Sequence, residues 1–86
     1  MDLEKLRIFL AVADCGSFSR GARTLYISHS TTSRAVTALE EELGVRLLER
    51  DNRVLGLTPA GQILLEEAKS LLGQADELVR RVRDAE

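Results

Sequence analysis

Arg20, Arg23 and Arg34 lie in a stretch, Cys15 to Leu39, that contains no aspartate or glutamate. Acids make up 14 of the 86 residues and the formal net charge is −2, so the gap is local and runs against the composition of the chain. The same stretch holds His29, the single histidine, and the hydroxyl run Ser28, Ser30, Thr31, Thr32 and Ser33. Guanidinium groups and short hydroxyls donate to phosphate oxygens and base edges, whereas carboxylates repel phosphate. The chemistry open to this stretch is recognition of a polyanion through charge and hydrogen bonds.

Bond-making chemistry finds no support. With one histidine, one cysteine, no metal-ligand spacing and no glycine-rich phosphate loop, we expect no catalytic residue, no metal and no cofactor. Ser28 and His29 are adjacent, but neighbours on a helix point in different directions and do not form a catalytic pair. The lone Cys15 cannot form an internal disulfide, which fits a reducing, cytoplasmic setting. The apolar run Ile8 to Ala13 is too short for a signal sequence or a membrane span, and it reads as the buried face of a first helix in a soluble chain.

The elements that must position these residues follow from periodicity. Leu3, Leu6, Phe9, Leu10 and Ala13 recur at helical spacing, with Asp2 as cap and Gly16 as stop. A second, short helix runs from Phe18-Ser19 to about Leu25, with Ser17 or Ser19 capping it and Phe18, Ala22 and Leu25 inward. Gly21 within it costs about 1 kcal/mol relative to alanine, which suggests a close backbone neighbour. After a tight break at Tyr26-Ile27, Ser28 caps a third helix running to about Glu42. Thr32, Val36, Leu39 and Leu43 form its inward stripe, and His29, Ser30, Ser33, Arg34 and Thr37 share the opposite arc.

Gly44 ends this helix. The apolar runs Val45 to Leu48 and Val54 to Thr58, around the polar residues 49–53, read as a hairpin with Arg50 and Arg53 at its tip. Thr58-Pro59 opens a last helix reaching about Arg83. Leu64, Ala68, Leu71, Ala75, Leu78 and Val82 step along it by fours and threes, with Leu65, Leu72 and Val79 alongside. Gly73 marks a bend or a second close contact.

Two helices joined by a tight turn, then a hairpin, define a mainly α, winged helix-turn-helix: three helices and a two-stranded wing in residues 1–58, followed by a linker helix in residues 59–86. The third helix, about 28–42, suits the major groove of double-stranded DNA, with His29, Ser30, Ser33 and Arg34 at base edges. Ser17, Phe18, Arg20, Ser28, Thr31 and Thr37 would hold phosphates through amides, hydroxyls and charge, and Arg50 and Arg53 would hold the flanking backbone or minor groove. The glutamates 40 to 42 lie at the far end of the helix. The heptad seam of Leu64, Ala68, Leu71, Leu72, Ala75, Leu78, Val79 and Val82 would leave an apolar stripe in water unless a second copy covers it, so a homodimer is expected. A winged-helix dimer that binds a partner protein instead of DNA is the rival reading, supported by the acidic overall balance.

Taken together, these pieces resemble the N-terminal DNA-binding domain of LysR-type transcriptional regulators over essentially the whole chain. The likeness is carried by Met1-Asp2-Leu3, Leu6, Phe9-Leu10-Ala11-Val12-Ala13, Gly16-Ser17-Phe18-Ser19, Ala22, Leu25, Ile27-Ser28 and Ser33-Arg34. It continues through Leu39-Glu40-Glu41-Glu42-Leu43-Gly44, Leu47, Glu49-Arg50, Arg53 and Leu57-Thr58-Pro59-Ala60-Gly61. The resemblance implies an antiparallel pairing of linker helices, a following domain that senses a small-molecule effector, and dimers or tetramers on promoters. His29 stands where the family usually has glutamine, Thr32 where leucine or valine is usual, Gly21 where alanine is common and Leu48 where phenylalanine is common. The hydroxyl of Thr32 is expected to bond back to the Ser28 carbonyl.

Overall fold

Asp2, Ser17, Ser28 and Thr58 each begin a helix by the same device. The side-chain oxygen accepts an amide of the first turn, from Glu4, Arg20, Thr31 and Gly61 respectively. Each bond satisfies a donor that a helix start leaves without a partner. In the computed structural model, which describes residues 1–51 and 54–86, these caps open α1 (Leu3–Cys15), α2 (Phe18–Leu25), α3 (His29–Leu43) and α4 (Pro59–Asp84). An antiparallel pair, β1 (Leu48–Asp51) and β2 (Val54–Leu57), stands between α3 and α4, with Leu48 opposite Leu57 and Asp51 opposite Val54. Gly44 closes α3 at φ 70, a left-handed conformation that a Cβ would strain.

One core joins the parts. It contains Leu6, Phe9 and Val12 of α1, Val36 and Leu39 of α3, Leu47 and Leu48 at the start of the wing, and Ala68 and Leu72 of α4. Helix α2 adds Ala22 and lies almost backbone to backbone on α1: a Cβ on Gly21 would come 2.9 Å from the Val12 Cα. That is the close neighbour expected of this glycine. The Thr32 hydroxyl donates to the Ser28 carbonyl at 2.9 Å, also as expected. Leu43, expected inward, is 39% exposed at the last turn of α3, while Ala35 is buried instead.

Two expectations need correction. The first strand starts later than the apolar run Val45 to Leu48 suggested, while the second begins at Val54 as expected. The amides of Leu47 and Leu48 donate to the Glu40 carboxylate at 2.8 and 3.4 Å, and Val45 N–H closes the end of α3 on the Glu40 carbonyl. These amides are taken, so the ladder forms from Leu48 through the polar residues Glu49, Arg50 and Asp51. The seam of α4 also divides. Ala68 and Leu72, expected to face a second copy, are buried in their own domain, and Leu64 and Leu65 are partly buried against the same core. The winged domain presents apolar surface of its own to the first half of α4, so that half docks at home. Arg7 pairs with Asp76 at 2.9 Å and Lys69 with Asp14 at 3.4 Å, which fastens α1 to α4. Among the described residues, an added Cβ on Gly73 would meet open space.

Candidate nucleic-acid interface

The start of α3 faces water. His29, Ser30, Thr31, Arg34 and Thr37 are exposed and Ser33 is half-buried, while Thr32, Ala35, Val36 and Leu39 are turned to the core. The four expected base-reading residues, His29, Ser30, Ser33 and Arg34, therefore share one side of one helix. Arg34 folds along that side, its Nε 3.3 Å from the Ser30 carbonyl and its Nη2 3.4 Å from Ser30 Oγ. Among the described residues no carboxylate forms an ion pair with Arg20, Arg23 or Arg34. The arc itself carries no carboxylate, and Asp2 and Glu4 at the start of α1 line a groove with Thr31 and Arg34 at its edge.

Ser17 caps α2, and the Phe18 amide sits in the first turn, where a helix has N–H groups without intrahelical acceptors. Arg20 is exposed beside it. Ser28 Oγ accepts from the Thr31 amide at 3.1 Å and donates to Thr31 Oγ1 at 2.8 Å, so these two hydroxyls hold each other at the mouth of α3. The Phe18 ring is half-buried against the core and lies 5.8 Å from the His29 ring, tilted by 48°.

The wing departs from expectation. Arg50 was placed at the tip as a phosphate contact, but it lies opposite Leu55 within the ladder. Its guanidinium is 3.6 Å from Glu40 Oε1, with Cζ 5.0 Å from the centroid of the Phe18 ring. The cation thus lies between a buried carboxylate and an aromatic face while staying exposed to water. Arg53 lies outside the described residues.

Glu40 and Tyr26 escaped the reading from sequence. Glu40 was grouped with acids at a distant end of the helix, yet its side chain is buried and holds Leu47, Leu48, Arg46 and Arg50. The available signal was its place beside Leu39 on the inward edge of α3, followed by arginines at 46 and 50. Tyr26 ends α2 at φ 58 and is 95% exposed, at the turn beside the mouth of α3. An aromatic residue in a two-residue break, with no core to fill, was its signal.

A short helix packed before an exposed, cationic helix, with a two-stranded wing following, is a winged helix-turn-helix. Residues 3–62 match the model of the bacterial regulatory helix-turn-helix proteins of the lysR family, and the chain belongs to that family. It is 42% identical over 83 residues to the probable cat1 operon transcriptional activator of Acinetobacter lwoffii, covering 96% of this chain and 27% of that protein. Among solved structures it resembles the BenM DNA-binding domain in complex with catB site 1 DNA, with TM-score 0.94 and 39% identity over 98% of this chain and 93% of that one. The CbnR DNA-binding domain bound to DNA is equally similar, with TM-score 0.94 and 40% identity over 99% of this chain and 98% of that one. The chain thus spans under a third of the curated relative and nearly all of the two excised domains.

Proposed function

We propose that this chain is the sequence-specific, double-stranded DNA-binding part of a transcriptional regulator. In this reading residues 1–58 form the reading head and residues 59–86 the linker helix, whose first half also completes the head's core. The observation that carries it is the exposed, acid-free arc of α3: His29, Ser30, Ser33 and Arg34 present donors and a cation on one side of a helix that the core holds firmly by Thr32, Val36 and Leu39. Such an arc fits the major groove, with side chains short enough to let the helix approach base edges. Ser17, the Phe18 amide, Arg20, Ser28, Thr31 and Thr37 border it and would meet phosphates. That the similar BenM and CbnR DNA-binding domains are seen in complex with DNA supports DNA as the partner here.

The role is recognition, not catalysis, in line with the regulator names of the relatives. The exposed Leu71, Leu78, Val79 and Val82 of α4 would be covered by the same helix of a second copy, giving a homodimer, with tetramers in a longer protein. A small-molecule effector would act through a further domain. Among the described residues no helix is long and apolar enough to cross a membrane.

Selection of duplexes from a random pool by the purified chain tests the reading. We expect an enriched sequence with two related half-sites and a retardation that weakens steeply with salt. Absence of enrichment, with retardation equal on all duplexes or missing, would overturn it.

A further inference from the structure

We propose that Glu40 is a positioning residue for duplex recognition: acting through Arg50 and Phe18, it sets the wing strand against the first turn of α3, where His29 stands. The proposal rests on the DNA-binding reading above and adds a residue that touches no DNA.

A buried carboxylate is costly unless it is paired and hydrogen-bonded. Glu40 divides that work between its two oxygens. Oε2 accepts the amides of Leu47 and Leu48 at 2.8 and 3.4 Å, with Arg46 Nε 3.6 Å away, and Oε1 faces Arg50 at 3.6 Å. The amide bonds fasten the start of β1, a task that any neutral acceptor could perform. The second oxygen does something further. It holds a wing cation, whose side chain keeps 36% of its surface in solvent, over the Phe18 ring, 5.0 Å from the centroid. That ring lies against His29 at 5.8 Å.

The contacts thus run unbroken from α3's buried side, across β1 and the start of α2, back to α3's exposed first residue. The links are an ion pair at 3.6 Å, a cation beside a ring face, and a ring tilted against an imidazole. Glu40 is shared between Arg46 and Arg50 and so offsets only part of their charge toward phosphate. Its effect is on where His29 points and where the wing stands, and so on discrimination between sequences more than on general affinity.

Glu40→Gln keeps an acceptor for the two amides and removes the charge that holds Arg50. Arg50→Lys leaves the amide bonds untouched and replaces the planar group that stacks on Phe18. In the full chain, each variant should move the His29 imidazole resonances in NMR spectra recorded without DNA. On a duplex selected by the wild-type chain, compared with a scrambled duplex of equal length, each should lower the preference ratio about five- to tenfold, the loss of one well-placed base contact. Binding to the scrambled duplex should hold or rise, with a steeper salt dependence for Glu40→Gln.

Equal loss on both duplexes, or unmoved His29 resonances, would overturn the proposal and leave Glu40 a purely structural acceptor. Where Glu40→Gln unfolds the chain, Arg50→Lys decides by the same two readouts. A wild-type chain with no preference between duplexes would defeat the DNA reading and this proposal together. Retained preference in both variants defeats this proposal alone.

Discussion

Arg34 is held on its own helix by weak neutral acceptors, the Ser30 carbonyl and hydroxyl at 3.3 and 3.4 Å. No described carboxylate competes for it, so a base edge or phosphate can take it at small cost. We expect Arg34→Ala to weaken binding to a selected site by about 1–3 kcal/mol if the guanidinium reads a base. If it meets phosphate only, affinity should fall alike on all sequences and the salt slope should drop by about 1. An unchanged titration by footprinting would refute both. Thr32 offers a contrasting case. Its hydroxyl donates to a Ser28 carbonyl that already accepts the Thr32 amide at 3.1 Å, so no buried acceptor depends on it. Thr32→Val should leave stability unchanged or raise it by about 1 kcal/mol, because an apolar group of equal shape replaces a back-bonded hydroxyl. A clear fall in the thermal midpoint would show that the hydroxyl matters more than this.

The junction between wing and α4 is where backbone meets backbone. Thr58 Oγ1 donates to the Arg46 carbonyl at 2.6 Å and accepts from the Gly61 amide at 2.9 Å, and the Leu47 carbonyl accepts from Thr58 N–H. A Cβ on Gly61 would overlap that Leu47 carbonyl oxygen. Gly61→Ala should therefore destabilise by about 3 kcal/mol, a large overpacking penalty that outweighs alanine's helical preference of about 1 kcal/mol. Chemical denaturation checks it, and a stability equal to wild type would argue against the close approach.

Elements of this kind differ in how far they show in the residues. Three helix starts, at Asp2, Ser28 and Thr58, were visible because a cap is local chemistry, an Asp, Ser or Thr next to the amides it serves. At α2 two serines compete, and the structure selects Ser17. The same holds for the outward arc of α3, where a period of 3.6 separates His29 and Arg34 from Val36 and Leu39. The start of β1 was hidden because Glu40, several residues earlier, takes the amides of Leu47 and Leu48. Arg50's approach to Glu40 was hidden for the same reason. The seam of α4 was seen as a stripe but not divided, because apolar spacing is the same whether the covering surface is the domain itself or a twin.

The chain extends over 51 × 26 × 19 Å, longer than it is wide because α4 continues past the core that buries its first half. Beyond Leu72 the stripe goes on without a cover: Leu78 is 63% exposed and Val82 62%. Placing a charge there leaves the domain's own packing untouched, unlike a change at Ala68 or Leu72. Leu78→Glu should give a folded monomer by sedimentation, with loss of binding to paired half-sites and retention of weak binding to one. Dimers that persist in this variant would remove α4 from the interface.

Because Ala68 and Leu72 sink into the core, with the exposed Arg7–Asp76 and Lys69–Asp14 pairs beside them, the head and the first half of its stalk share one packed core that resists swivelling. Two such heads joined stalk to stalk would behave as a caliper with a set jaw opening. Inserting about half a helical turn, roughly 5 base pairs, between half-sites would turn one of them to the far side of the duplex. A caliper cannot follow that rotation, whereas a pair of heads on slack tethers could, so phasing of the operator measures the stiffness of the joint.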